Sequence, residues 1–197
     1  MTPRTRRCAL GGIVGPVAFV GTWSISGLVK ARYSALHDPI SELAAVHAST
    51  RIAMSTAFVV FAIGMCFYAW ALRSGPAGPA WVTAATSGIA TIGVATFPLH
   101  HSASVDRLHG VFAGTGYVTL AATALLSAAY LSRLGVHSWA GVAGVAGGVC
   151  AISLALTLVG SYEGLFQRVG LTAGDVWVVA SAIALLRGDW TATRARR

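Results

Sequence analysis

Charge is what this sequence lacks most. Of its 197 residues only 10% are Asp, Glu, Lys or Arg, against about 25% in an ordinary soluble domain. With 55% hydrophobic residues and a mean hydropathy of +0.70, such a chain has lipid rather than water as its solvent. It also lacks short segments of alternating hydrophobicity, which excludes a β-barrel. Cysteine is scarce as well. Cys8, Cys66 and Cys150 are odd in number, lie in or beside apolar runs and show no metal-like spacing, so they read as reduced core residues and not as a disulfide framework.

What is present is a series of uncharged apolar runs long enough to cross about 30 Å of hydrocarbon. They cover residues 8–29, 52–72, 80–99, 110–132, 138–162 and 169–186. The expected fold is an all-α membrane protein, one polytopic domain over residues 1–197 built as a six-transmembrane-helix bundle. The run from Cys8 to Val29 follows a basic start, as in a signal peptide, but it exceeds a typical signal core and five more spans follow, so it is read as the first membrane helix. The 23 glycines suit close helix contacts in a bilayer, and Pro16 is expected to kink the first helix. Trp23, Trp81, Trp139, Trp177 and Tyr162 fall near span ends and read as interfacial anchors, and Trp70 and Trp190 fit the cytoplasmic boundary in the same way.

The formal charge of +8 and the pI near 10.3 raise the question of nucleic acid, which their distribution answers. Seven of the fourteen basic residues sit at the two ends: Arg4, Arg6, Arg7, Arg187, Arg194, Arg196 and Arg197. The short connections at residues 73–79 ("RSGPAGP", a turn) and 133–137 fall on the same side, which makes that side, with both termini, cytoplasmic. Nucleic acid is not an expected partner; membrane lipid is.

Acids and histidines follow the opposite bias. Asp38, Glu42, Asp106, Glu163 and Asp175, with His37, His47, His100, His101 and His109, belong to the outer face. Longer outer loops would gather polar residues by length alone, and a shared pocket would gather them for chemistry. In "SALHDPISELAAVHAST" (34–50), Asp38-Pro39 is a good helix start and Glu42 suits a first turn. A short interfacial helix over 39–48 is expected there, with Ile40, Leu43 and Ala44 turned inward and a second cap at Ser49 or Thr50. In "FPLHHSASVDRLHG" (97–110), Asp106 and His109 are spaced i, i+3 on one helical face, so Asp106 can orient His109 for proton transfer. The set His100, His101, Asp106 and His109 matches no zinc signature; the reading carries no cofactor, with a metal held by those four residues as the alternative. In "SYEGLFQRVGLTAGDVW" (161–177), Asp175 lies about two turns inside the last span, where an ionisable residue faces the protein interior and a partner. Its structural reading is an ion pair with Arg168 or Arg107.

These segments, together with "GIVGPVAFV" near the start, resemble the DUF998 family, small integral membrane proteins of prokaryotes. The resemblance rests on "HDPISELA", on "FP" followed by a polar loop ending in "LHG", and on "GLFQRVG" before a Trp-bearing helix. It implies a multi-pass protein of a prokaryotic cell membrane and supplies no reaction. Members of that family carry an Asp shortly after the FP pair, where this chain has His100 and His101.

The functional expectation is a membrane-embedded enzyme with a polar pocket at the outer helix ends, performing acid–base chemistry on a lipid or isoprenoid-like substrate that enters from the bilayer. Asp38, Glu42, Asp106, His109 and Asp175 are the catalytic candidates. Ser41, His37, Gln167, Arg168 and Trp177 are the substrate-binding candidates. The competing expectation is a non-catalytic scaffold, lipid-binding protein or small transporter whose outer acids pair with Arg51, Arg107 and Arg168.

Overall fold

The computed structural model describes residues 2–75 and 78–192. Arg194, Arg196 and Arg197 of the basic tail, and Pro76 and Ala77 of the expected turn, lie outside the described residues. Within them the chain is helical throughout, with no strand. In order come α1 (Pro3–Ala9), α2 (Gly11–Val29), a single 3-10 turn (Ile40–Ala44), α3 (Arg51–Arg73), α4 (Ala80–Thr96), α5 (Ala103–Arg133), α6 (His137–Thr157), α7 (Glu163–Arg187) and the short α8 (Asp189–Ala192). Five helical stretches are long and apolar enough to cross a bilayer: Thr5–Val29, Arg51–Arg73, Ala103–Arg133, His137–Thr157 and Glu163–Arg187. The helix Ala80–Thr96 is apolar but shorter.

Helices adjacent in sequence pack side by side from α2 to α7, and α7 returns to α2 to close the bundle. From α3 to α7 the short connections dictate this for antiparallel neighbours, whereas α2 and α3 are joined by the longer segment 30–50. Small residues set the closest approach. A Cβ on Gly64 of α3 would meet the Gly11 carbonyl oxygen at 2.6 Å and the Gly15 Cα at 3.0 Å, so the G-x-x-x-G face of α2 lies directly on the α3 backbone. Across the middle, the buried hydroxyls of Tyr68 (α3) and Ser181 (α7) share a hydrogen bond of 2.6 Å.

Several expectations need correction. The surface helix expected over 39–48 is a 3-10 turn of five residues whose Ile40, Leu43 and Ala44 are buried, so the inward face was read correctly but the element was not. Asp38 is the reason: its carboxylate accepts from Ser34 N–H, upstream, at 2.7 Å and caps no helix. Thr50 does precede α3, but its hydroxyl donates to the Leu43 carbonyl at 2.7 Å, folding the loop back. Next, α5 and α7 begin earlier than the uncharged runs do, at Ala103 and Glu163, because Asp106 and Glu163 sit in first turns, where an acid favours the helix. Asp175 is therefore at the midpoint of α7, not two turns from its start. Finally, Trp177 and Trp190 are not anchors at an interface; both are buried and pack with Trp139, centroids 6.0 to 6.4 Å apart, where α6, α7 and α8 meet. Trp70 and Tyr162 are the exposed ones.

The Gly11–Gly64 contact gives the first prediction. Gly64→Val is expected to destabilise the protein by about 1–3 kcal/mol, the usual penalty for overpacking. Gly148→Val, where an added Cβ meets nothing within 4 Å, should leave it unchanged. Thermal unfolding of the detergent-solubilised protein measures both.

Candidate functional site

The three segments 30–50, 97–102 and 158–162 gather at one end of the bundle and are knitted to one another. Val46 N–H donates to the Leu99 carbonyl and Leu165 N–H to that of Leu36. His37 Nδ1 donates to the Ser161 carbonyl at 2.7 Å while its ring stacks on Tyr162. Lys30 Nζ donates to the Glu42 carbonyl at 2.6 Å and lies 3.7 Å from the Glu42 carboxylate, which also takes His100 Nε2 at 2.7 Å. His100 adopts a left-handed backbone, φ 64°, which costs a non-glycine about 1–2 kcal/mol. Its N–H is held by the Asp106 carboxylate at 2.9 Å.

At the centre of this cap is Arg168. It is 8% exposed, yet no carboxylate accepts from it among the described residues. Its Nη1 donates instead to the carbonyls of Gly164 (2.7 Å), Ala35 (2.8 Å) and Asp38 (3.0 Å), and its Nη2 to the Tyr33 hydroxyl. The Trp23 and Tyr33 rings lie 5.4 and 5.3 Å from the guanidinium carbon, where an aromatic face attracts a cation. Burial pushes the Tyr33 phenol above its ordinary pKa, against the lowering influence of Arg168. It therefore stays protonated and donates in turn to the Pro39 carbonyl. Gly164, one turn before Arg168, has to be glycine, because a Cβ there would strike the Asp38 carbonyl. Loop 30–50 is thus tied to α7 through backbone oxygens, which a planar fork of donors is suited to collect.

Beneath the cap lies a cavity of about 70 Å³, lined by Ile40 and Ser41 of the turn and by side chains of α2, α3, α4, α5 and α7. That is room for a few waters or the polar end of a larger molecule. Its polar lining is Ser41, Ser87, Thr91, Tyr117 and Gln167; no charged side chain belongs to it. Ser87 and Thr91 donate to the Gly116 and Ser87 carbonyls, and Tyr117 to those of Phe166 and Gln167. Gln167 Oε1 accepts from Ile40 N–H at 2.6 Å.

The sequence candidates divide accordingly. Ser41 and Gln167 line the cavity. Asp38, Glu42, Asp106, His37 and Arg168 hold the cap together. His109, 4% exposed, is not oriented by Asp106: its Nδ1 donates to the Phe97 carbonyl at 2.7 Å, leaving Nε2 buried and without a hydrogen-bond partner among the described residues. Asp175, 2% exposed, pairs with neither Arg168 nor Arg107, and among the described residues neither of its oxygens has a hydrogen-bond partner. Trp177 is in the tryptophan cluster, away from the cap. His101 is exposed, and no three His, Cys, Asp or Glu side chains among the described residues converge on a point that could hold a metal.

Sequence reasoning missed Tyr33, Ser87, Thr91 and Tyr117. All are uncharged, and a search led by ionisable groups passes over them. The one available signal was Gly164, a glycine one turn before an arginine.

The segments that meet in this cap, HDPISELA and GLFQRVG, are also the distinctive stretches of the sequence, and the DUF998 family model, described as a protein of unknown function, matches residues 13–184. The chain belongs to the DUF998 family. No curated protein and no solved structure matches it. With five helices long enough to cross a bilayer, this DUF998 member is a multi-pass membrane protein.

Replacing Arg168 tests the clamp. Arg168→Lys keeps the charge but cannot reach three carbonyls in fork geometry, and each buried carbonyl left without a donor costs about 1–3 kcal/mol. Hydrogen exchange of the amides of Ser34, Asp38 and Ile40 is expected to rise at least tenfold, with α3 and α4 unaffected.

Proposed function

We propose that this DUF998 protein binds the uncharged polar end of a lipid- or isoprenoid-like molecule in the capped cavity. The observation that carries the reading is the pair of donors left uncommitted in its lining, the Gln167 amide NH₂ and the Ser41 hydroxyl, for which no partner is found among the described residues. Two donors and no charge suit an acceptor oxygen without charge, such as a hydroxyl or carbonyl. The remaining lining, including Phe19, Phe58, Phe61, Leu120 and Leu171, suits the apolar part next to it.

The same proposal places the protein in a prokaryotic cell membrane, crossing six times with both termini cytoplasmic. What supports it is the gathering of segments 30–50, 97–102 and 158–162 at one end, as expected if α4 returns the chain across the bilayer between α3 and α5. Its 17 residues reach about 26 Å. The basic residues Arg73 and Arg133 end α3 and α5 at the opposite side, as the positive-inside rule asks.

A second reading, acid–base turnover of the bound molecule, is favoured by His109. With Nδ1–H committed to Phe97, its Nε2 carries a lone pair and has no hydrogen-bond partner among the described residues, the form a general base needs. Asp38, Glu42 and Asp106 are engaged in closing the cap, and neither His109 nor Asp175 lines the cavity, so the acid–base candidates do not share one reaction centre. Binding is therefore the leading reading.

Farnesol, an uncharged isoprenoid alcohol, is a suitable probe for native mass spectrometry of the protein in detergent micelles. The wild type is expected to retain it, and Ser41→Ala to weaken retention about fivefold, the worth of one hydrogen bond, with the melting temperature unchanged. Equal retention by Ser41→Ala, or preference for farnesyl phosphate, would contradict the proposal. Conversion of the probe, lost in His109→Ala while binding persists, would establish the catalytic reading instead.

A further inference from the structure

The end of the bundle opposite the cap carries two guanidiniums whose N–H donors are uncommitted among the described residues. Arg7 lies in the last turn of α1 and Arg73 ends α3. The two helices pack on each other, and both side chains are exposed. Neither forms an ion pair with a described carboxylate, whereas the neighbouring Arg6 donates to the Leu186 carbonyl. The Arg73 guanidinium carbon lies 5.9 and 5.1 Å from the ring centroids of Trp70 and Trp81, a contact that steadies the cation without using its donors. Indoles near a span end sit at headgroup level, so Arg73 stands at the depth of lipid phosphates.

From this end two apolar grooves run along α3, one on each side of a ridge. The first, of about 450 Å³, lies against α1 and α2, with Arg7 at its mouth and Leu10, Val14 and Val60 among its walls. Gly11 and Gly64 also belong to it; they meet backbone to backbone and supply no side chain to fill it. The second, of about 420 Å³, lies toward α4, with Trp70 at the same end and Cys66 and Ile92 deeper in. Cys8, Ile63 and Phe67 are common to both grooves. Ile63 and Phe67, one turn apart on α3 and both exposed, form the ridge. Leu10, Val14, Trp70 and Ile92 are exposed as well, so both grooves open sideways, toward the hydrocarbon. From Val60 to Phe67 the first extends over two turns of α3, about 10 Å. No carboxylate lines either.

We infer that this end of the protein binds one anionic diacyl phospholipid, its two chains straddling the Ile63–Phe67 ridge and its phosphate held by Arg7 and Arg73. Shape and charge select this occupant. Two apolar grooves parted by a single ridge suit two chains joined at one head, and their walls ask for hydrocarbon and nothing else. The exposed guanidiniums at the head of the ridge present the planar fork that matches phosphate oxygens. With no carboxylate in either wall, the ammonium of a zwitterionic lipid finds no partner there, so a net negative headgroup is preferred. The site shares no lining residue with the capped cavity. It therefore stands whether or not that cavity binds farnesol, and in whichever leaflet this end lies.

Native mass spectrometry of the full chain in detergent, titrated with palmitoyl-oleoyl phosphatidylglycerol, provides the test. The first lipid is expected to bind about tenfold more tightly than phosphatidylcholine with the same chains, and more tightly than lysophosphatidylglycerol, which keeps the headgroup but has one chain. Arg7→Gln and Arg73→Gln should each weaken the first phosphatidylglycerol about fivefold. Arg133→Gln removes an exposed arginine that ends α5 at the same side of the bundle and should leave binding unchanged. Phosphatidylglycerol with brominated chains should quench the fluorescence that Trp70→Phe removes, and brominated phosphatidylcholine should quench it less. Should an arginine variant fail to fold, the wild-type comparisons of headgroup and of chain number still decide. Equal affinity for phosphatidylglycerol and phosphatidylcholine, equal affinity for the one-chain lipid, or an equal loss in Arg133→Gln would each overturn the inference.

Discussion

A buried guanidinium that no carboxylate of the described residues accepts from organises the loop end of this protein. Arg168 has the carbonyls of Ala35, Asp38 and Gly164, the Tyr33 hydroxyl and two aromatic faces as its surroundings. Desolvating a cation is expensive, and here the cost is offset by partial charges from several backbone groups instead of one opposite charge. The consequence is geometric. A salt bridge would hold one side-chain tip, whereas three carbonyls fix the path of the chain from Ala35 to Asp38 against the first turn of α7. Ile40 then drops onto Gln167, Ser41 reaches the cavity, and Glu42 is left at the rim for Lys30 and His100.

That arrangement explains why a sequence so poor in acids spends two of them on one short stretch. Asp38 turns the chain by accepting from Ser34, and Glu42 ties the turn to the neighbouring loop through His100. Both work at the rim, in contact with water, where ion pairs contribute about 0–1 kcal/mol each. Their contribution is register more than stability. The interior that they enclose is lined with hydroxyls and an amide, groups that discriminate by hydrogen bonding without the desolvation cost of a charge.

Much of the fold was legible because lipid imposes its own periodicity. Uncharged runs located every helix of the bundle, while the abundance of glycine signalled close helix contacts without saying that Gly11, Gly15 and Gly64 would make the one between α2 and α3. The rule failed where helices extend past the apolar run: Asp106 and Glu163 look like loop residues by charge but stabilise helix starts by their dipole interaction. Tryptophan misled for a related reason. Near a span end an indole suits the interface, yet Trp177 and Trp190 find each other and Trp139 and become core. Of the candidate site, the polar members of the cap were legible in the sequence; their roles and most of the cavity's lining were not. Asp38, Glu42, His37 and Arg168 do meet, but spacing along the chain carries no information about which oxygen a guanidinium will choose. Asp106 and His109 share a helical face, yet it is the Phe97 carbonyl that accepts the hydrogen bond from the imidazole Nδ1–H.

The most direct test of this account is a distance measurement at Arg168. In bilayers containing the protein labelled with ¹⁵N in arginine side chains and ¹³C in selected carbonyl carbons, rotational-echo double-resonance NMR reads which carbons surround the guanidinium. The account predicts strong dephasing from the backbone carbonyls of Ala35 and Gly164 and none from the carboxyl carbons of Glu42 or Asp175. Dephasing dominated by a side-chain carboxyl would contradict it, since the cap would then be held by an ion pair and loop 30–50 would follow a different path over the cavity.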